Sequence, residues 1–243
     1  MLRIDFVSLF PEMVLGAARH SILKRAEEAE IVHFGAVNPR EFTHDKHRTV
    51  DDDPFGGGPG MLMKCEPLGA AIDSLLPDEN TAVVMTYPTG APFSQAAAHE
   101  LAGKPRIIFV CGHYEGIDDR IRRLYATHTF SIGDFVLTGG ELPALVMADA
   151  VVRLLPGSLG CSESLGADSH AEGLLSAPQF TRPESFKGEQ VPEVLRSGDH
   201  GAVQRWRRGE ALRTTRARRP DLFWRARLTK KDVELLKDPT NGR

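Results

Sequence analysis

Ser131-Ile132-Gly133-Asp134-Phe135-Val136-Leu137-Thr138-Gly139-Gly140-Glu141-Leu142-Pro143 joins the end of an apolar, β-branched run to an apolar helix pattern, Ala144 to Leu155. Gly133, Gly139 and Gly140 can take φ > 0 and let a ligand approach bare backbone. Neither G-x-x-x-x-G-K-[ST] nor G-x-G-x-x-G occurs, so neither nucleotide-phosphate signature applies. The segment reads as a pocket that holds a flat, polar cofactor through backbone groups. Two upstream loops, Cys111-Gly112-His113-Tyr114-Glu115-Gly116-Ile117-Asp118 and Tyr87-Pro88-Thr89-Gly90, also follow apolar strands. All three can meet at one edge of a sheet.

Working outward, strand patterns cover Leu2–Leu9, Ile31–Val37, Thr81–Tyr87, Arg106–Cys111 and Thr127–Ile132. Helix patterns cover Glu12–Ala29, Pro67–Leu76, Ser94–Leu101, Asp118–Tyr125 and Pro143–Leu155, the last stopped by Pro156-Gly157. This alternation predicts an α/β fold, a mainly parallel sheet with helices on both faces, and ligands outside the carboxyl ends of the strands. Residues 1–157 are therefore expected to form the cofactor-binding domain. Residues 158–172, rich in Gly and Ser, read as a flexible linker. Residues 173–243 read as a small helical domain, with Asp199 as a helix N-cap ahead of Val203 and Trp206. Shorter helices are expected around Asp221–Ala226 and Lys231–Lys237.

The 243 residues carry a net charge of −3, unevenly spread. From Gly173 onward 16 Lys and Arg face 9 Asp and Glu, while the preceding part has 14 against 24. Arg205, Arg207, Arg208, Arg213, Arg216, Arg218 and Arg219 crowd one stretch opposed only by Glu210, with Trp206, Phe223 and Trp224 interleaved. Such a mixture suits RNA, where phosphates take the charge and bases stack; a solvated helix face with a core Trp is the plainer alternative. No run of 18 apolar residues occurs, so no membrane span is expected. Three scattered cysteines and no signal-peptide layout suggest reduced thiols in a cytoplasmic protein. His44, Asp45 and His47 raise the thought of a metal, but the loop has no cysteine partner and carries Lys46 and Arg48; an RNA-contacting or interface loop fits better. No metal ligand set is assigned.

Several long motifs resemble the bacterial tRNA (guanine-N1)-methyltransferases of the TrmD type, in the trefoil-knotted SPOUT superfamily. They are Ser8-Leu9-Phe10-Pro11-Glu12, the run from Thr43-His44-Asp45 to Gly60-Met61, Cys111–Asp118, Ser131–Pro143, Asp168-Ser169, Phe180-Thr181-Arg182-Pro183 and Leu195-Arg196-Ser197-Gly198-Asp199-His200. The resemblance spans nearly the whole chain. It departs at His113, where the family usually has Arg, and at Phe55 and Phe135, where it usually has Tyr.

The resemblance implies a deep trefoil knot and transfer of a methyl group from S-adenosyl-L-methionine to N1 of guanosine 37 in tRNA, next to the anticodon. It also implies a homodimer whose active site is shared between subunits, and a possible need for Mg2+ at a site the sequence does not reveal. The N1 proton must leave, and Asp168 matches the presumed base; read alone, it fits a cap for the following turn better, and the resemblance reverses that preference. Arg153 matches a cation beside guanine O6, and read alone would complement a helix dipole. Glu115 is expected at the guanine edge or near the cofactor. Thr86, Tyr87, Pro88, Gly90, Gly112, Ser131, Ile132, Gly133, Leu137, Gly139 and Gly140 are expected to wrap the cofactor. Lys46, Arg48, Arg205, Arg207 and Arg208 are expected to contact RNA. The alternatives are a non-catalytic RNA binder on a relict pocket, and a knotted enzyme methylating ribose or another base.

Overall fold

The structure, a computed structural model, describes residues 1–160, 168–170 and 173–237. The chain divides into two compact units, Met1–Gly160 and Cys161–Arg243. Most of the linker expected at 158–172 lies outside the described residues.

In the first unit five strands, β1 (Leu2–Val7), β2 (Val32–Val37), β5 (Thr81–Pro92), β6 (Arg106–Cys111) and β7 (His128–Ser131), form one sheet in the order β2-β1-β6-β5-β7. Every pairing is parallel. A parallel sheet needs cover on both faces, and its side chains alternate accordingly. Phe6, Ile107 and Phe109 join one core with residues of α1 (Pro11–Ala18), α2 (Ser21–Glu28), α4 (Gln95–Ala102) and α6 (Glu141–Val152). Val7, Ile108 and Val110 join the other with α3 (Cys65–Ser74) and α5 (Asp119–Tyr125). The α/β class and the two-sided helix cover are thus as expected.

The helix expected over Glu12–Ala29 is two. Its buried residues are Val14 and Ala18, then Leu23 and Ala26. At about 100° per residue a single straight helix would turn the second pair roughly 130° away from the first. Breaking at Arg19-His20 brings both pairs onto the sheet.

Asp5, inside the apolar run of β1, is buried and accepts from Arg106 Nε (2.9 Å) and Nη2 (2.6 Å) and from Arg3 Nε (2.9 Å). Gly35 stands opposite it in register, and a Cβ there would overlap the Asp5 carboxylate. A two-residue ladder, β3 (Asp51–Asp52) with β4 (Leu62–Met63), closes the glycine loop between them. The sequence reads as plain loop there because Asp disfavours strands.

The second unit is built on α7 (His200–Arg218), α8 (Pro220–Arg225) and α9 (Lys230–Lys237). The Asp199 side chain accepts from the Ala202 amide at 3.0 Å and caps α7, as expected. Leu174, Leu212 and Phe223 form its small core. A short hairpin, β8 (Ser185–Phe186) with β9 (Glu189–Gln190), turns at Lys187-Gly188, both at positive φ.

Candidate active site

β5, β6 and β7 end side by side, and the chain leaving each of them builds one cleft of about 330 Å³. Its walls are Thr86–Thr89, Gly112–Gly116, Phe130–Gly133 with Phe135–Gly140, and Pro143. This is the carboxyl edge of the sheet, where open α/β folds hold ligands. The three glycine loops meet as the sequence suggests.

How they meet differs. Instead of ending at Tyr87, β5 carries a bulge: Thr86 and Ala91 both stand opposite Phe130, so Tyr87–Gly90 are pushed out of the ladder. Tyr87 and Pro88 enter the cleft wall; Gly90 does not. A Cβ on Gly90 would lie 2.7 Å from the Phe130 backbone, so this glycine serves strand packing.

Gly139 and Gly140, expected to expose backbone through positive φ, are not at positive φ. They are bare because neighbours press on them. A Cβ on Gly140 would overlap Thr86 Oγ1 and lie 2.8 Å from the Cys111 Cα and the Gly112 nitrogen. Its own amide donates to Gly112 O at 2.8 Å, and its carbonyl accepts from Thr86 Oγ1 at 3.3 Å. The start of α6 is thereby wedged between the ends of β5 and β6. Of the eleven residues expected to wrap the cofactor, all but Gly90 line the cleft.

Two groups here escape a reading of the sequence. Glu141, the first residue of α6, is buried and accepts from Ser8 Oγ at 2.7 Å. Ser8 Oγ in turn accepts from the Phe10 amide at 2.9 Å, so the Ser8–Glu12 motif ties β1 to the cleft helix. His113 presents a buried Nδ1 with no hydrogen-bond partner among the described residues; a Cβ on Gly139 would lie 2.9 Å from it and overlap Glu141 Oε2. Burial, with Glu141 nearby, pushes the Cys111 thiol well above its usual range. A thiol held protonated is a poor nucleophile, and among the described residues no cysteine lines the cleft.

Glu115 lines the cleft and lies across Gly60, whose neighbour Met61 accepts from the Glu115 amide at 3.0 Å. Its loop is anchored by Asp118, which caps α5 and grips Arg120 at 3.0 and 2.8 Å. The Arg120 guanidinium holds the Asp118 carboxyl well below the usual range.

The loop with Lys46 and Arg48 is folded around Asp45, which accepts from Thr49 Oγ1 (2.7 Å), Thr49 N (3.0 Å) and His47 N (3.1 Å). Lys46 and Arg48 point into solvent. Arg40 reaches both the Arg48 carbonyl (3.0 Å) and the Tyr114 hydroxyl (3.2 Å), joining this loop to the cleft wall. Among the described residues no group of three His, Cys, Asp or Glu could hold a metal ion.

Arg153 is at the opposite end of α6 from Gly140. Twelve helical residues put them about 18 Å apart at 1.5 Å per residue. Asp168 lies in the second unit, on a groove of about 850 Å³ that it lines with Phe180, Gln204, Arg207 and Arg208, among others. Arg205 and Arg207 are exposed, whereas Arg208 grips the buried Asp232 at 2.8 and 3.1 Å, linking α7 to α9. Arg213 is likewise engaged, with Glu210 at 2.7 Å. Trp206 and Phe223 are buried; Trp224 is 82% exposed.

The sheet order, the bulged strand and the cleft at its carboxyl edge define an α/β protein with a cleft of small-ligand size walled by three loops. The family profile described as tRNA (Guanine-1)-methyltransferase TrmD matches residues 2–225. Similar proteins include the tRNA (guanine-N(1)-)-methyltransferase of Moorella thermoacetica, 51% identical over 240 residues, covering 98% of this chain and 96% of that protein. Those of Staphylococcus carnosus (49% over 237 residues, 98% and 97% covered) and Dictyoglomus turgidum (50% over 238, 98% and 96%) are close behind. The chain belongs to the TrmD family of tRNA (guanine-1)-methyltransferases.

Proposed function

We propose that this protein transfers the methyl group of S-adenosyl-L-methionine to N1 of guanosine 37 in tRNA. The observation that carries this reading is the cleft at the ends of β5, β6 and β7, present with its packing intact in a member of this family. Its size falls within the range of small-molecule sites. Pro88, Ile132 and Leu137 give apolar cover, and the loop amides give hydrogen bonds, which suits an adenosyl group. S-adenosylmethionine brings an electrophilic methyl group bonded to a positive sulfur.

The protein's own residues do the rest. The attacking atom is guanine N1, which becomes nucleophilic as its proton leaves. Asp168 takes that proton. Negative charge then builds on O6, and Arg153 stabilises it as a fixed cation. Glu115 holds the guanine edge against the cleft. Lys46, Arg48, Arg205 and Arg207 take phosphates. Arg208, with Nε and Nη2 held by Asp232, contributes less.

Arg153 lies at the far end of its own helix from the cleft, which supports a site shared by two copies, one subunit's Arg153 serving the other's cleft. An apolar face on α6 fits this: Leu142 and Val146, one turn apart, are half exposed, as is Met13 on α1, which packs on α6. Subunits carrying Asp168→Ala and Gly140→Arg should then complement each other when mixed. The trefoil knot, a Mg2+ requirement and a cytoplasmic location belong to the same reading. No helix among the described residues is long and apolar enough to cross a membrane.

The test is transfer from labelled S-adenosylmethionine to tRNA transcripts with guanosine or adenosine at position 37, with Asp168→Ala as control. Transfer to the guanosine transcript alone, lost in the variant, is expected. Transfer to both transcripts would move the target elsewhere, and transfer to neither would leave an RNA binder.

A further inference from the structure

Of the exposed aromatic side chains of the basic second unit, Phe180, Phe186 and Trp224, the tryptophan is the largest and the most exposed. α8 is anchored by Phe223, buried and edge-on to Trp224 at 5.7 Å between ring centroids. Trp224 itself points outward, 82% exposed. A Trp left in water forgoes the burial that stabilises most aromatic residues. In the chain it is flanked by cations: Arg218, Arg225 and Arg227 are all exposed and without an ion-pair partner among the described residues. The nearest acid, Asp221, is neutralised by Arg219 through contacts of 2.9 and 2.7 Å.

A track leads to this spot. Arg207 lines the groove that also holds Asp168. Arg218 follows eleven residues later, three helical turns on and within about 20° of the same face, about 16 Å along α7. That length spans a few phosphates of one strand. α8 begins two residues after Arg218.

We propose that Trp224 is a stacking platform for an unpaired base of the tRNA, a few nucleotides from the target guanosine, at the end of a cation track that starts at Arg207. Aromatic rings take unpaired RNA bases on their faces while arginines hold the flanking phosphates. The proposal rests on the tRNA methyltransferase reading above.

The chain has only two tryptophans, and Trp206 is buried. The full-length Trp206→Phe protein therefore reports on Trp224 alone; wild-type protein serves if that variant fails to fold, because acrylamide reaches Trp224 first. Saturating unmodified tRNA transcript should protect Trp224 from acrylamide quenching several-fold. Trp224→Ala should bind tRNA on the order of tenfold more weakly. Its salt dependence should be unchanged, because stacking releases no counterions, and S-adenosylmethionine affinity should be unchanged too. Trp224→Phe should keep most of the binding. Quenching that is equal with and without tRNA, or wild-type tRNA affinity in Trp224→Ala, would overturn the proposal, as would protection by anionic lipid vesicles in place of tRNA. Methyl transfer measured on the same samples separates the two readings. With transfer intact and Trp224 still accessible, only this inference falls; without transfer or tRNA binding, the functional reading falls with it.

Discussion

In residues 1–160 the buried acids hold backbone elements in place. Asp5 clamps β1 to β6 through Arg106, and Glu141 fixes the start of α6 through Ser8. The cleft wall above them includes glycines, Gly140 among them, that neighbours leave no room to replace. In the second unit the relation is reversed. The core is small, Asp232 and Glu210 restrain Arg208 and Arg213, and the remaining described arginines are exposed. On the proposed function one unit would bind by shape, so single added atoms should break it. The other would bind by charge, so its losses should be graded and salt-dependent.

The largest effect should come from Gly140→Ala. The new methyl would press on Thr86 Oγ1 and on backbone of Cys111 and Gly112, none of which is a flexible chain end. Overpacking costs about 1–3 kcal/mol, and here the loop that forms the cleft wall must move to relieve it. S-adenosylmethionine affinity should fall about 100-fold by calorimetric titration, with tRNA binding retained. Near-normal cofactor affinity would mean that the cleft binds by charge after all.

Next is Arg208→Ala, which separates structural from recognition arginines. It leaves Asp232 buried and unpaired, at a cost of about 2 kcal/mol after allowing for a guanidinium near the surface. Chemical denaturation should show it. The Arg208 guanidinium holds Asp232 down at about 2, below the usual 3.8. A depressed carboxylate pKa adds stability above the unfolded value and loses it as pH falls through the folded one. The wild-type advantage over Arg208→Ala should therefore be full above about pH 5 and vanish toward pH 2. An advantage that does not change with pH would place the effect in packing instead.

The two units were also unequally legible. The five strands and the convergence of three loops follow from apolar runs ending in glycine, because both are local patterns. The reason for each glycine is not local. Gly140 is bare because of Thr86 and Cys111, and Gly90 because of Phe130, contacts across 29 to 54 positions that only the fold creates. The Arg19-His20 break depends on where the sheet lies, and β3 and β4 depend on one another. In the second unit the excess of positive charge was plain and the cap at Asp199 was readable. Which arginines were already committed was not, because Asp232 is 24 residues from Arg208. Likewise Trp206, Phe223 and Trp224 look alike in sequence, and only packing sorts two into the core and one into solvent.

A smaller effect is expected at Ser8→Ala, on the boundary between structure and site. The change removes the one donor seen on Glu141 Oε1 and leaves a buried carboxylate oxygen unsatisfied. That costs about 1–3 kcal/mol. Because Glu141 opens α6 beside the cleft, part of the loss should appear as a raised KM for S-adenosylmethionine at unchanged kcat. A loss of stability with no change in KM would show that the Ser8 contact supports the helix without shaping the loop.

The smallest effect, and the sharpest contrast with Arg208, is Arg207→Ala. The two residues are adjacent on α7, yet Arg207 is exposed on the groove with no ion pair among the described residues, while Arg208 is bound to Asp232. Removing Arg207 should leave the denaturation midpoint within about 0.5 kcal/mol of wild type, as for most surface changes. It should weaken tRNA binding several-fold and reduce the slope of log affinity against log salt by about 1, the signature of one lost phosphate contact. The two variants thus predict opposite pairs of results: stability lost with a small change in salt slope for Arg208, slope lost with stability kept for Arg207. If both variants shift the slope equally, Arg208 leaves Asp232 when RNA binds, and the division between restraining and recognising arginines holds only for the RNA-free protein.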